Sequence, residues 1–364
     1  MKLTGVTRKE IATEIKTAMP AQHELLLDFG GCIILAKSNT TELYEALAGY
    51  FKEFIATSGT PQITVSGHES APPGTDLEFT VKQPDPGKTK IKEEWVDLPD
   101  GRIVRKRLTG MHFIFGHGEN VAVGPCLENS NQVINFINNR FIEWKLNQGG
   151  FLGHAAGVIH AGRGISLAGF SGAGKSTLAL HLMSRGTTFV SNDRVMVEEN
   201  GNGLTMFGVA KQPRINPGTA LNNPDLCTIV EPELRQEFLS MPTEKLWQLE
   251  HKYDALIDQC YGLGKFMLKS PMNALVILNW KRDEGPMFAA KVNPAQRKDL
   301  LPAFMKATGL FYLPENPERQ DDPDVDAYAE ILAKTDLIEI SGGVDFEKAS
   351  DLCLSYMETG ELPE

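Results

Sequence analysis

Residues Gly169-Phe-Ser-Gly-Ala-Gly-Lys-Ser176 decide how this chain is read. They fit G-x-x-x-x-G-K-[ST], the pattern of phosphate-binding loops. The preceding stretch, Gly164-Ile-Ser-Leu-Ala168, reads as a short buried strand, and Thr177 to Arg185 read as a helix. A glycine-rich turn in that setting lines up backbone N–H groups at a helix N-terminus, where the helix dipole favours an anion. Glycine at 169, 172 and 174 lets the backbone approach phosphates without a Cβ between. Gly169, Ser171, Gly172, Ala173, Gly174, Lys175, Ser176 and Thr177 are therefore the candidate nucleotide-binding residues. Lys175 supplies a point charge to the β- and γ-phosphates, and the Ser176 hydroxyl is a candidate Mg²⁺ ligand.

Working outward, Asp193 lies eighteen residues beyond Lys175. That length allows one helix and one returning strand, Thr188-Phe-Val-Ser191. The carboxylate then lands beside Ser176 at the C-terminal edge of a sheet, where ligands bind in α/β folds. There it can hold Mg²⁺ or take a proton from an attacking hydroxyl. An aspartate that merely caps a strand end is the plainer alternative.

Composition bounds the function. The chain has 364 residues, enough for one large domain or two ordinary ones, and a net charge of −11. No dense Lys/Arg run is present, which argues against nucleic acid or an anionic membrane as partner. Met1 to Pro20 carries scattered charges and lacks the apolar run of a signal peptide. The longest apolar stretches, such as Ala274-Leu-Val-Ile-Leu278, are strand-sized. Five dispersed cysteines with no C-x-x-C imply reduced thiols in a cytoplasmic protein.

The first half reads as strands plus two helices. A strand pair over 22–36 folds at Gly30-Gly31, a helix follows over 41–56, and residues 70–94 read as a Pro/Gly/Lys-rich loop. Hairpins come next, around Pro99-Asp-Gly101 and from Met111 to Val123, then a helix over 129–146. In the second half, Lys211-Gln-Pro-Arg-Ile-Asn-Pro-Gly-Thr219 reads as a loop and 229–240 as a helix. Ala255-Leu-Ile257 and Ala274 to Trp280 read as strands, and 293–312 as a helix. Residues 314–326 read as an acidic loop. Leu337-Ile-Glu-Ile340 reads as a strand leading to a last helix, Phe346 to Met357. The expected division is an N-terminal α+β domain over 1–150 and a catalytic domain over 151–364.

Three spacings together carry a family resemblance. His154 lies fifteen residues before Gly169, Asn192-Asp193 follow Lys175 by seventeen and eighteen, and Ser176-Thr-Leu-Ala-Leu-His-Leu-Met-Ser-Arg-Gly186 runs between. With Cys260-Tyr-Gly-Leu-Gly264 and the strand to Leu278-Asn-Trp280, residues 150–283 resemble the catalytic core of bacterial HPr kinase/phosphorylase. That family is similar in fold to phosphoenolpyruvate carboxykinase. The resemblance implies an α/β fold with a P-loop kinase core of this type, with ATP and Mg²⁺ as cofactors. It implies Asp193, Lys175 and His154 as catalytic residues and Ser176 and Asp193 as metal ligands. His154 would hydrogen-bond a carboxylate or a phosphate oxygen; a satisfied histidine on a half-buried strand is the alternative. Glu250, Lys252 and Asp254 fall where the family carries an acidic/basic segment. Arg214 could bind a second phosphate or an acidic substrate, although a solvated surface role is as good a reading for each of these four.

The chain departs from the family at one place. Where the HPr enzyme has Asp-Asp, this chain has Asn192-Asp193. One carboxylate and one amide cannot share a proton as two carboxylates can, so Asp193 must act alone and a reverse, phosphorylase reaction is put in doubt.

The expected activity is transfer of the γ-phosphoryl group of ATP to a hydroxyl, on a protein serine or on a small molecule. A nucleotide-binding switch without transfer and a plain nucleotide hydrolase stay open, as do pyrophosphate as donor and a homo-oligomeric state.

Overall fold

The computed structural model describes the chain except residues 85–88, 202, 243–244, 247–248, 250, 317–323 and 364. It is mixed α/β and divides into two compact units. The first is Met1–Asn147 with Thr308–Asp321, the second Gln148–Ala307 with Asp322–Glu364. The 308–321 stretch, read from sequence with the second half, thus belongs with the first.

In the first unit an eight-stranded sheet runs in the order His23–Phe29, Cys32–Ser38, Ile63–Glu69, Glu119–Gly124, His112–Gly116, Gly101–Lys106, Glu93–Leu98, Thr80–Val81. Strand alternation sends Ile114 to one face and Phe113 and Phe115 to the other. Ile114 joins Ile103, Val121 and Val123 under Ile11, Ala12 and Ile15 of the helix Arg8–Ala18. Phe113 and Phe115 meet Phe136 of the helix Ser130–Asn147, together with Phe311. The fully buried Arg140 lies over the Phe115 ring, pairs with Glu143, and donates to the Phe311 carbonyl. A guanidinium with no water around it must find such partners, and they fix the 308–316 stretch to this unit.

The second unit is built on a six-stranded sheet. Its order is Thr188–Ser191, Ala156–His160, Arg163–Gly169, Ala274–Leu278, Asp336–Gly342, Met287–Val292. Arg163–Gly169, Ala274–Leu278 and Asp336–Gly342 are parallel, with Gly169, Leu278 and Ile340 in register at one edge. Ala274–Leu278 is buried throughout, as a central parallel strand must be. One face packs on a four-stranded antiparallel sheet, through Ala168, Leu275 and Ile277 against Val195, Val197, Leu204, Met206 and Met272. The other face carries the helices Lys175–Ser184 and Phe346–Thr359.

Several elements differ from the sequence reading. The helix Arg8–Ala18 was not expected, although Thr7 and Glu10 form a complete capping box at its start. Residues 293–312 are not a helix. The Asn293 side chain accepts the N–H of Ala295 to make a turn, and only Leu301–Ala303 form a single tight turn, around Pro302. The apolar residues there, Leu300, Leu301, Ala303 and Phe304, are buried at helical spacing, but the spacing lasts for a single turn around Pro302. Ala255-Leu-Ile257 is not a strand either. The strand is Tyr253–Asp254, and the Ile257 N–H bonds the Gln212 side chain as the helix Ile257–Tyr261 begins. A helix, Val325–Leu332, starts within the expected 314–326 loop, of which 317–323 lie outside the described residues. No described helix is long and apolar enough to cross a membrane, and the five cysteines are unpaired thiols.

Candidate functional site

Topology brings the sequence candidates to one sheet edge. Gly169 and Leu278 end parallel strands, so the loops after them, 170–174 and 279–282, leave on the same side. Ala156–His160 runs antiparallel to Arg163–Gly169, so the residues before it, including His154, lie at that side too. Thr188–Ser191 is antiparallel to Ala156–His160 in turn, and its exit delivers Asn192 and Asp193 there. The result is a cavity of about 810 Å³ lined by residues 170–177, His154, Asn192, Asp193, Arg214 and Lys252, with Trp280 and Phe346 on its wall.

The 169–176 loop is held from both sides. Gly172 and Gly174 take φ of 81° and 89°, the left-handed region in which a Cβ is strained. A Cβ at Gly174 would also sit 2.6 Å from the Phe346 ring. Ala173 N–H closes a turn onto the Phe170 carbonyl at 3.0 Å, and the Trp280 indole N–H donates to the Ala173 carbonyl at 2.8 Å. Phe346 packs edge-on to Trp280 and stacks on His181. Lys175 opens the helix Lys175–Ser184 and donates to the Gly169 carbonyl at 2.9 Å. Burial lowers its pKa, while Asp193 acts to raise it. Thr177 is buried, and its hydroxyl meets that of Thr219 at 3.1 Å.

Asp193 is the electrostatic focus. His154 Nε2 is 3.3 Å from Asp193 Oδ1, and Arg194 Nε is 3.6 Å from Oδ2. The His154 hydrogen bond, helped by Lys306 and Arg194, holds the carboxyl far below the usual carboxylate range against the opposing effect of burial. The His154 backbone is itself fixed by its amide N–H on the Phe304 carbonyl, and the Lys306 amide N–H bonds the Leu152 carbonyl at 3.3 Å. That short pairing explains how Lys306 reaches the site. The turn after Ser191 is closed by the Ser191 hydroxyl on the Arg194 carbonyl.

The other candidates divide. Arg214 lines the cavity but pairs with Asp254 at 3.2 Å across the short ladder of Arg214–Ile215 with Tyr253–Asp254. Lys252 lines the cavity as well. Glu250 lies outside the described residues. Sequence reasoning passed over Lys211 and Lys306. Lys211 stands in the loop already singled out, whereas nothing near Lys306 signals a site.

The donor set suits Mg²⁺. Ser176 and Asp193 offer oxygens to the same cavity, and Asn192 Oδ1 is buried with no hydrogen-bond partner. Hard oxygen donors in small number, completed by phosphate and water, are how Mg²⁺ is ordinarily held. Among the described residues no group of three or more His, Cys, Asp or Glu could form an all-protein metal cage.

No family model matches the sequence, and no curated protein matches it. Among solved structures, the chain is similar to the Hpr(Ser) kinase/phosphatase from Coxiella burnetii. The identity is 12%, over 56% of this chain and 89% of that one, with a TM-score of 0.29, a likeness too slight to carry an argument.

Proposed function

We propose that this protein is a kinase that transfers the γ-phosphoryl group of ATP to a hydroxyl. One observation carries the reading: an ionised carboxylate, Asp193, faces the same cavity as a glycine-rich helix N-terminus bearing Lys175 and Ser176. In this reading the loop N–H groups and Lys175 hold the phosphates and offset the charge that grows on them. Ser176 and Asp193 would hold Mg²⁺, which would neutralise phosphate charge. Asp193 orients the acceptor hydroxyl. A carboxyl held so far below its usual range is a weak base, but phosphoryl transfer is mostly positioning and electrostatics, so orientation suffices. The acceptor oxygen bonds to the γ-phosphorus as the bond to the bridging oxygen breaks. The electron pair leaves on ADP, and the hydroxyl proton passes to solvent. Asn192 contributes no charge, so a shared proton and a phosphorylase direction have no support here.

The test is ADP release and nucleotide binding by the full chain with and without a pool of hydroxyl compounds. Acceptor-dependent release that falls by several orders of magnitude in Lys175→Met is the expected result. Release without an acceptor would make the protein a hydrolase. Tight binding with no release under any acceptor would make it a switch.

A further inference from the structure

A second, smaller cavity of about 200 Å³ adjoins the first around Asn192, Asp193 and Arg214, and is completed by Val209, Lys211 and Gln212. Its charge is lopsided. The charged groups that act on Asp193 and Lys211 are Arg194, Arg214, Lys306 and Lys175 against Asp193 and Asp254, so cations outnumber carboxylates. Arg194 and Arg214 each have a carboxylate partner. Lys211 does not. Its half-buried ammonium has neither an ion pair nor a hydrogen bond among the described residues. A half-buried ammonium with no carboxylate at ion-pair distance is costly to keep charged, and here burial and the two arginines outweigh the more distant support of Asp193 and Asp254. The glycine-rich loop and Lys175 line the first cavity but not the annex.

Resting on the kinase reading above, we infer that this annex binds the acceptor, and that the acceptor is a small alcohol carrying a carboxylate or phosphate group. The anion pairs with Lys211 and Arg214, and the hydroxyl is thereby directed to Asp193, which borders both cavities. The volume suits such a molecule. At about 30 Å³ per water, the annex has room for on the order of seven waters, enough for glycerate and for the phosphate end of glycerol 3-phosphate, with the hydroxyl end reaching towards the first cavity. Gln212 is buried, with its side-chain oxygen fixed by the Ile257 N–H at 3.0 Å, so the floor of the annex is rigid. Carboxylate and phosphate share the chemistry that Lys211 and Arg214 recognise; the alcohols below separate them.

The experiment titrates glycerate, glycerol 3-phosphate and glycerol by calorimetry into the full chain saturated with a non-hydrolysable ATP analogue and Mg²⁺. Saturation removes the glycine-rich loop as a competing anion site. Glycerate or glycerol 3-phosphate should bind and glycerol should not, and the tighter of the two identifies the anion. Lys211→Met keeps the side-chain stem and should weaken anion binding by between about tenfold and a hundredfold. Arg214→Met should weaken it in the same direction. A thermal melt of each variant, run first, reports that the fold is intact. The inference is overturned if glycerol binds as well as the two anions, if neither anion binds, or if both variants bind the anions as the wild type does. Failure of the wild type to bind the ATP analogue sinks the kinase reading instead, and the inference with it.

Discussion

Trp280 donates its indole N–H to the Ala173 carbonyl across 2.8 Å, joining the exit of one parallel strand to the loop that follows its neighbour. The bond matters because Ala173 lies between two glycines held at positive φ, in a stretch with little side-chain packing of its own. Trp280→Phe keeps most of the ring contact with Phe346 but leaves that carbonyl without its donor. We expect nucleotide affinity to fall by roughly fivefold to tenfold, with the melting temperature changed little, since one such bond contributes about 1 kcal/mol. Nucleotide titration alongside a thermal melt checks this, and unchanged affinity would mean that the loop is shaped without Trp280.

Gly174→Ala should be far more damaging. The methyl group meets the Phe346 ring, and the residue must also stay at φ 89°. The two costs can be separated. Phe346→Leu in the same chain relieves the collision but not the backbone strain, which is about 1–2 kcal/mol for a non-glycine residue. The double variant should therefore recover only part of the lost nucleotide affinity. Full recovery would show that the backbone conformation is not needed.

His154→Gln tests what keeps Asp193 ionised. The His154 hydrogen bond is the largest influence lowering that carboxyl. With a weaker partner its pKa should rise, so the acid limb of the pH–rate profile should move to higher pH. Asn192→Asp should shift the limb the same way by a different route, because a second carboxylate repels the first. Asp193→Asn should abolish transfer while leaving nucleotide bound. Retained transfer in Asp193→Asn would remove Asp193 from the mechanism.

The first unit should weaken on mild acidification. Burial pushes the His112 imidazole down to about 4 from its ordinary 6.5. Nδ1 donates to the Gly110 carbonyl at 2.9 Å, and Nε2 is buried without a partner. The unfolded chain therefore takes up a proton near pH 6.5 that the folded chain refuses until about 4. The stabilisation is present above pH 6.5 and is lost as the pH falls towards 4. Between pH 7 and 5 the loss is about 2 kcal/mol. Urea unfolding at the two pH values should show it, and His112→Leu should flatten the difference. An equal slope in that variant would place the titration elsewhere.

Much of the parallel core was legible because its signals are local. Ala274-Leu-Val-Ile-Leu278 is an unbroken apolar run, and the 169–176 glycines announce their own turn. The approach of Asp193 to the loop was legible from length alone. Long-range pairing was not. Lys306 reaches the site because Phe304 and Lys306 bond to His154 and Leu152, a contact that no periodicity encodes. The hairpin of Val195–Asn200 with Gly203–Gly208 turns at Asn200-Gly201, a dipeptide that by itself signals a turn. The Arg8–Ala18 helix has its capping box and its Ile11/Ile15 spacing in the sequence itself. The annex at Lys211 was beyond the sequence because its meaning lies in a missing partner, and a sequence shows residues but not which of them stand unpaired.

The bond from Arg140 to the Phe311 carbonyl spans 171 residues of chain. Phe311 also fills the aromatic cluster of Phe113, Phe115 and Phe136. On a ribosome adding roughly 5–20 residues per second, the first unit must wait on the order of ten to thirty seconds after its last helix emerges for that closing piece. During the wait a buried arginine and three phenylalanines lack their final cover, while the whole strand–loop–helix of the second unit is being made. The N-terminal half is therefore the first to be synthesised and among the last to be completed. A break in translation anywhere between 148 and 307 would leave an open aromatic face exposed to chaperones or to aggregation.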